Sequence, residues 1–451
     1  MSTGSSTPEP SRSTRSDPYA PFRYPAWRDY FFGSLLVSMG TAGQSLAIGW
    51  EVYQRTSRAS SLAMVGLMLA IPMLVLTLPA GVLADRVDRR RIMIVGYLGA
   101  TGTSIGLGIL SVVGGSIGWM YALLMLDAAF IRVAWPARMA LVPMLVPRDV
   151  FEQATKWRTS AFQLIGMVGP AAAGFLIAWY LPAAYFLAAA SSLLMIGVLL
   201  KLRVDTAPPS TADKSLRGMT IQLAEGVSFV WRNRLLLGAI SLDLFAVLFG
   251  GAVYLLPIYA SDILSVGEAG LGWLRAAPAA GAMLMAVTLT YLPPIKRAGP
   301  LLLLSVAGFG VATIIFGLSK SFWLSMAMLF LTGLFDNVSM VVRHTLVQLA
   351  TPDHMRGRVS SVSAIFIGSS NELGGVESGT VAQLAGPVFS VVSGGIGTIV
   401  VVAAWSGLFP SLRKLRRISD ADDSPIKTPA EMSAPTSVPP TAVSSGDAPK
   451  S

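Results

Sequence analysis

Long apolar segments separated by short polar stretches fill most of this 451-residue chain. A helix that crosses the hydrocarbon core of a bilayer needs about 20 predominantly apolar residues. Segments of this kind lie at 30–52, 61–84, 92–113, 117–137, 159–180, 182–201, 235–259, 269–291, 300–318, 322–342, 359–382 and 385–409. They are continuous runs rather than alternating patterns, which argues against a β-barrel. The sequence therefore predicts an all-α membrane protein with twelve transmembrane helices.

The composition agrees with a chain dissolved in lipid and excludes several other classes. Only 13% of the residues are charged, whereas soluble domains carry about 25%. The net charge is +10, but the basic residues stand singly between apolar runs, so no nucleic-acid partner is indicated. With no cysteine, two histidines and no phosphate-binding loop, we expect no enzyme activity, no cofactor and no bound metal.

The distribution of Lys and Arg predicts the orientation in the membrane. Of the predicted loops, the odd-numbered ones contain only Arg55, Arg58 and Lys320. The even-numbered loops and the tails contain most of the others, and we assign Arg138, Arg158, Arg343 and the cluster 86–91 to them. The positive-inside rule then places both termini in the cytoplasm. We expect a multi-pass protein of the cytoplasmic (inner) membrane of a bacterium.

The polar segments divide the chain into five parts. We predict a disordered cytoplasmic tail (1–28), a six-helix bundle (29–202), a cytoplasmic linker (203–234), a second six-helix bundle (235–410) and a disordered cytoplasmic tail (411–451). Apolar residues at helical spacing between Ile221 and Trp231 predict a short surface helix in the linker. Contact of that helix with lipid and a plain connecting role both remain open.

An internal repeat supports the division into halves. The pattern Arg-x-x-Leu-Val-x-x-x-x-Pro occurs at 138–147 and again, 205 residues later, at 343–352. The same shift places Gly169 on Gly374. Parallel six-helix repeats are a known plan of secondary transporters, so the sequence predicts two six-helix repeats related in this way.

The segment Gly81-Val-Leu-Ala-Asp-Arg-Val-Asp-Arg-Arg-Arg91 forms a tight basic loop between two apolar runs. It resembles the loop between helices 2 and 3 of the major facilitator superfamily. Further stretches resemble the branch of that superfamily that contains the enterobactin and macrolide exporters. They are Trp50–Thr56, Pro136–Arg138, Leu145–Arg148, Gly169–Gly174, Leu274–Pro278 and Thr351–Val359.

This resemblance implies a secondary active transporter that works by alternating access. It favours a proton-coupled exporter of a small amphiphile, such as a siderophore, a macrolide-like drug or a metabolite. The implied partners are the small-molecule substrate, protons, membrane lipid and a periplasmic or outer-membrane export component. An importer of a small nutrient and a non-transporting scaffold or receptor are the alternatives.

The resemblance also implies a conformational gate at the basic loop. Gly81 would allow close approach to the eleventh span, and Asp85 would lie near the N-terminus of that span, where the helix dipole favours an anion. The basic residues of the predicted gate are Arg89, Arg90, Arg356 and Arg358. The alternative is that these arginines only fix orientation against anionic lipid.

Ionisable residues inside the predicted spans are the other candidates, because each is costly to place in a bilayer. Asp127, Asp243 and Glu372 lie well inside spans 4, 7 and 11 and are predicted to take up protons or to neutralise a cationic substrate. Arg132 and Arg275 would suit an anionic substrate or pair with other helices. A buried pairing of Asp127 with Arg132 is the alternative for that carboxylate, although a five-residue spacing is poor for pairing along one helix.

Overall fold

A computed structural model describes residues 17–202, 204, 216–293 and 297–415. Within these ranges the structure is helical and contains no strand. The main helices are α1 (Pro25–Thr56), α2 (Ala59–Arg86), α3 (Arg89–Val113), α4 (Ile117–Leu141), α5 (Phe151–Tyr180), α6 (Pro182–Lys201), α7 (Leu216–Arg232), α8 (Arg234–Ile263), α9 (Gly267–Tyr291), α10 (Ala298–Leu318), α11 (Phe322–Leu349), α12 (Arg356–Ala385) and α13 (Pro387–Leu408). The predictions for most of both tails and for the first part of the linker fall outside the described residues.

The all-α prediction is confirmed, and each predicted span coincides with a helix. Eleven of the described helices are long and apolar enough to cross a membrane. The eleventh predicted span, α12, is not among them, because Asn371, Glu372, Glu377 and several serines lower its hydropathy. It nevertheless has 30 residues and packs along α2, α8 and α13 inside the bundle.

Several helices extend beyond the predicted spans, and this corrects the placement of several arginines. The helix α4 ends at Leu141, α5 begins at Phe151 and α11 ends at Leu349. The arginines at positions 138, 158 and 343, which the apolar runs alone place in loops, therefore lie within helices. The predicted basic loop is also shorter than expected, because Arg86 ends α2 and Arg89–Arg91 form the first turn of α3. The prediction is wrong here because hydropathy falls where polar residues begin, whereas backbone hydrogen bonding continues for about one to two turns.

Local sequence determines where several helices begin and end. The Asp88 side chain accepts a hydrogen bond from the Arg91 amide at 3.1 Å and so caps the start of α3. The Asn233 side chain caps α8 in the same way, because it accepts hydrogen bonds from the backbone amides of Leu235 and Leu236. Gly114 ends α3 with φ +67°, a left-handed conformation that costs glycine little. In α8 the regular helix ends at Phe249, and a 3₁₀ turn and a π-helical turn continue the span to Ile263.

The two halves share one packing plan, which confirms the predicted repeat. The helix α1 packs on α5 and α6 as α8 packs on α12 and α13, and α2 packs on α4 as α9 packs on α11. The shift of 205 residues superimposes α5 on α12 from first residue to last. The same shift aligns the last residue of α3 with the last residue of α10. It also aligns the first residue of α4 with the first residue of α11, and the first residue of α6 with the first residue of α13. The register of the repeat therefore holds across the half without insertion.

The linker helix α7 packs mainly on α8 and α12 of the second half and also contacts α2 of the first half. Its Val230 is buried, and the Glu225 carboxylate forms a 2.6 Å ion pair with Arg358 at the start of α12. Ile221 and Trp231, on the remaining surface, are 51% and 71% exposed. One side of α7 therefore packs on protein, and large apolar side chains remain exposed on the other.

Three apolar cores show how the halves are joined. We call the end with the α2–α3 and α4–α5 loops the basic face, and the end with the α1–α2 and α12–α13 connections the opposite face. At the basic face each half has a core of its own, within 27–202 and 230–415. At the opposite face one joint core combines residues of both halves, including Trp50, Tyr53, Tyr259 and Leu271. The halves are thus united at one face and separate at the other.

Candidate functional site

Polar contacts seal the opposite face where the two halves meet. The Tyr53 hydroxyl donates to the Asp262 carboxylate, and Gln54 donates to the Ser261 hydroxyl at 3.1 Å. On the other side of the interface, the backbone amide of Ser60 donates to the Gln383 side chain at 3.0 Å. These bonds join α1 to α8 and α2 to α12, so the opposite face is closed.

Glycines bring the backbones of the halves together just below these bonds. A Cβ added to Gly174 in α5 would lie 2.8 Å from the Cα of Gly272 in α9. A Cβ added to Gly379 in α12 would lie 2.6 Å from the backbone nitrogen of Ala63 in α2. Small residues permit this approach between membrane helices. We call the α5–α9 and α2–α12 crossings together the glycine seam.

A cavity of about 560 Å³ separates the halves at the basic face. It lies between α2, α4, α7 and α12, and we call it the basic-face cavity. Its lining includes Gly81, Arg132, Trp135, Arg358 and Ser361. Gly81, predicted to approach the eleventh span, thus shares this cavity with residues of α12. The structure is closed at the opposite face and open towards the basic face.

The predicted gate arginines Arg89 and Arg90 lie in the first turn of α3 and bind within their own half. The guanidinium of Arg89 is buried and lies 3.2 Å from the Met144 sulfur, at the end of α4. Arg90 donates to the Leu200 carbonyl at 2.6 Å, near the end of α6. Asp85 occupies the last turn of α2.

The predicted gate arginines of α12 also find partners near the basic face. Arg356 forms a 2.7 Å ion pair with Asp353 and donates to the Gln348 carbonyl at 3.1 Å. Arg358 pairs with the linker helix, as described above. In this open arrangement each of these contacts stays on its own side of the cleft, and the gate role of the four arginines remains a prediction.

A smaller cavity of about 260 Å³ lies in the middle of the molecule, between the joint core and the basic-face cavity. We call it the central cavity. Three of the predicted intramembrane residues line it: Asp127 from α4, Arg275 from α9 and Glu372 from α12. The Tyr254 hydroxyl donates to Glu372 at 2.7 Å, and Arg275 donates to the Val253 carbonyl at 3.2 Å. The fold therefore brings acids and a base from both halves to one site.

Asp127 is held by a buried hydrogen-bond network. Gln44 donates to one carboxylate oxygen at 3.0 Å and Thr103 donates to the other at 2.7 Å. Ser104 in turn donates to the Gln44 side-chain carbonyl at 2.7 Å. Both oxygens of Asp127 are thus occupied by neutral donors from α1 and α3. Arg132 lines the basic-face cavity and interacts electrostatically with Glu372, so a pairing of Arg132 with Asp127 is not what the structure shows.

Asp243 is placed apart from the other two acids. Its carboxylate forms an ion pair with Arg343 inside the second half, and the side chains are only 6% and 5% exposed. The space beside Asp243 and Asp336 amounts to about 10 Å³, too little for a substrate. Asp243 does not line the central cavity, which leaves Asp127 and Glu372 as the acids that do.

Gln44 and Tyr254 are site residues that sequence reasoning missed, and the pairing of Arg343 with Asp243 was missed as well. The signal for Gln44 was its polar amide within a span of apolar and small residues. The signal for Arg343 was its repeat partner Arg138, because a residue kept in both copies of a repeat is positioned by the fold. Within the described ranges, no cluster of His, Asp and Glu is placed to hold a metal ion.

Two helical repeats, sealed at one face and opened at the other above a buried polar site, define a membrane transporter of the alternating-access type. The comparison with known families agrees over nearly the whole chain. The chain belongs to the transmembrane secretion effector family of the major facilitator superfamily, whose model matches residues 16–436.

Two proteins similar in sequence are enterobactin exporters. The enterobactin exporter EntS of Escherichia coli O1:K1 / APEC is 27% identical over 415 residues, which cover 87% of this chain and 94% of that protein. EntS of Shigella boydii serotype 18 matches with the same identity and coverage.

Solved structures of major facilitator transporters share the fold at low sequence identity. The peptide transporter POT in complex with sulfate has a TM-score of 0.67 at 14% identity and covers 90% of this chain and 98% of its own. A single-residue mutant of the nucleoside transporter NupG has a TM-score of 0.67 at 13% identity, with 85% and 100% covered. A bacterial homologue of the lysosomal transporter Spinster has a TM-score of 0.65 at 13% identity, with 87% and 99% covered.

Proposed function

We propose that this protein exports a small amphiphilic molecule across the cytoplasmic membrane of a bacterium, with both termini in the cytoplasm. The family and the exporters that resemble the chain support the direction of transport. The positive-inside rule supports the orientation, since the basic face would then be cytoplasmic. A siderophore, a macrolide-like drug or a metabolite fits this class of cargo, and transport leaves the cargo chemically unchanged.

In this proposal the two bundles, 29–202 and 235–410, rock about the central cavity. Cargo enters from the cytoplasm through the basic-face cavity and reaches the central cavity. The basic face then closes, with Asp85 and the gate arginines meeting across it, and the glycine seam parts to release cargo outside. The linker helix α7, tied to α12 through Glu225, follows the second bundle.

The convergence of Asp127 and Glu372 on one central cavity carries the proposal. A carboxylate at this depth is costly to keep charged. Hydrogen bonds from the neutral side chains of Gln44 and Thr103 stabilise the charge on Asp127, and Tyr254 does the same for Glu372, so a rearrangement that breaks these bonds would favour uptake of a proton. Asp127 lies in the first half and Glu372 in the second, so closing and opening change the surroundings of both acids. Proton entry from outside, exchanged for cargo moving out, would then drive export.

Transport by inverted membrane vesicles tests this function. Vesicles with an inside-acid pH gradient would be supplied with radiolabelled siderophores and drugs, with and without a protonophore. We expect protonophore-sensitive accumulation inside, strongly reduced by Asp127→Asn and by Glu372→Gln. The matched control is Glu377→Gln, five residues further along α12 and outside the central cavity.

Two outcomes would contradict the proposal. Uptake only by right-side-out vesicles would make the protein an importer. Wild-type accumulation by both cavity variants would remove Asp127 and Glu372 from coupling.

A further inference from the structure

A third cavity, of about 600 Å³, lies within the first half, in the gap between α4 and α5 and beside α1. We call it the N-half cavity. It shares Thr41 with the central cavity and Trp135 with the basic-face cavity. It therefore lies along the proposed path of the cargo and is large enough for a small organic molecule.

The lining of the N-half cavity combines positive charge with aromatic rings. Arg138 and Arg158 both line it, together with Tyr97, Trp135 and Phe162. The lining includes no Asp or Glu. The Arg138 guanidinium lies 5.8 Å from the Trp135 ring centroid and 5.2 Å from that of Phe162. A guanidinium held against rings in this way is oriented. Arg138 also interacts with the Tyr30 hydroxyl, and its remaining N–H groups can donate to an acceptor in the guanidinium plane.

The two arginines carry charge without a counter-ion from the protein. Over the described part of the chain, neither Arg138 nor Arg158 forms an ion pair with an acid. Both side chains are half-buried, and the electrostatic neighbours of Arg158 are Arg138 and Tyr30. Two positive charges that line one cavity without an acid among the lining residues favour the binding of an anion that is not part of the chain.

In the second half, the arginine that corresponds to Arg138 is neutralised by an acid of the same chain. The 205-residue register places Arg138 on Arg343 and Ser38 on Asp243. In the second half the aspartate neutralises the arginine, and the adjoining space is about 10 Å³. In the first half the Ser38 hydroxyl donates to the Ser34 carbonyl at 2.9 Å and supplies no charge.

We propose that the N-half cavity is a substrate subsite for aromatic organic anions. Arg138 would bind the carboxylate or equivalent anionic group through paired N–H bonds, with Arg158 adding charge. The ring of the ligand would lie among Tyr97, Trp135 and Phe162. This assignment rests on the proposed export function, since it names the class of cargo that enters along the path.

Binding to the purified full-length protein tests the subsite without requiring transport. The probes are 2-naphthoate and its neutral analogue 2-naphthamide, measured by equilibrium dialysis. We expect wild type to prefer the anion by about tenfold or more, as charge-assisted pairs exceed neutral ones. Arg138→Gln should abolish the preference, whereas Arg148→Gln, which removes an exposed loop arginine outside the cavity, should retain it.

A substitution that copies the second half gives the sharper comparison. Ser38→Asp supplies Arg138 with the partner that Asp243 gives Arg343, so it should remove the preference for the anion. Ser38→Asn adds a similar side chain without charge and should keep it. Thermal unfolding of each variant distinguishes loss of binding from loss of the fold. If Ser38→Asp does not fold, the binding preference of Arg138→Gln alone tests the subsite.

The outcomes separate this inference from the proposed function. Equal binding of naphthoate and naphthamide by wild type, or a preference that survives Arg138→Gln, overturns the subsite even if vesicles export cargo. A preference that depends on Arg138 supports the subsite even if the vesicle experiment reverses the direction of transport.

Discussion

The glycine seam makes a quantitative prediction about which face of the transporter is open. In Gly174→Ala the new methyl carbon would lie 2.8 Å from the Gly272 Cα and 2.8 Å from the Glu268 carbonyl oxygen. Carbon atoms pack best at about 3.5–4.0 Å, and both neighbours are backbone atoms, which cannot rotate away. The helices α5 and α9 must therefore separate by about 0.7 Å or more.

This overpacking raises the free energy of the state that is closed at the opposite face. Inserting one carbon into a well-packed contact costs about 1–3 kcal/mol, which corresponds to a factor of about 5–150 in a two-state equilibrium. The state with the seam parted does not bear this cost. While that state is a minor species, its population should rise by the same factor.

Cysteine labelling measures the change directly, because the natural chain contains no cysteine. Ala382→Cys places a thiol in the joint core, where Ala382 is 4% exposed. In right-side-out vesicles, a membrane-impermeant maleimide should label this thiol about 5–150 times faster when Gly174→Ala is added. Gly197→Ala, where a Cβ would meet nothing within 4 Å, is the matched control and should leave the rate unchanged.

Equal labelling rates with and without Gly174→Ala would refute the reasoning. That result would mean that the seam does not determine which face is closed. The second crossing offers an independent repetition, since Gly379→Ala meets backbone at 2.6 Å and should act in the same direction.

Three further predictions concern charged residues near the basic face. Because the Asp243–Arg343 pair is buried, Arg343→Gln should destabilise the protein by about 3–5 kcal/mol, and a thermal midpoint in detergent that does not fall would contradict this. The Arg358–Glu225 pair is 35% and 48% exposed, so Arg358→Gln should cost about 0–1 kcal/mol. A gate formed by Arg358 and Asp85 would affect transport rather than stability. Arg358→Gln and Asp85→Asn should each slow export several-fold in inverted vesicles while the thermal midpoint stays near that of wild type. Export at the wild-type rate by both variants would exclude the gate.

The helices and the repeat could be predicted because hydropathy reports directly on burial in lipid. The extent of each helix could not, since the helix continues after its apolar run ends. This is why the apolar runs place Arg138, Arg158 and Arg343 in loops although all three are helical. The eleventh span was predicted as one of the apolar runs, although the polar residues of α12 lower its hydropathy.

The acids of the site could be predicted, but their partners could not. Asp127, Asp243 and Glu372 stand out because charge is costly within an apolar span. Their partners come from distant helices: Gln44 is 83 residues from Asp127, and Tyr254 is 118 residues from Glu372. Sequence spacing carries no information on such contacts, so the separation of Asp243 from the central cavity had to come from the fold.

The glycine seam also bears on how readily the transporter can change its shape. A contact made of backbone against backbone has almost no side chains whose rotamers must be ordered when it forms. An interface of interlocking leucines or methionines would have to find one packed arrangement on every closure. Gly174, Gly272 and Gly379 instead give the crossings smooth surfaces, so the seam can part and re-form many times without repacking, and little conformational entropy is lost on each return.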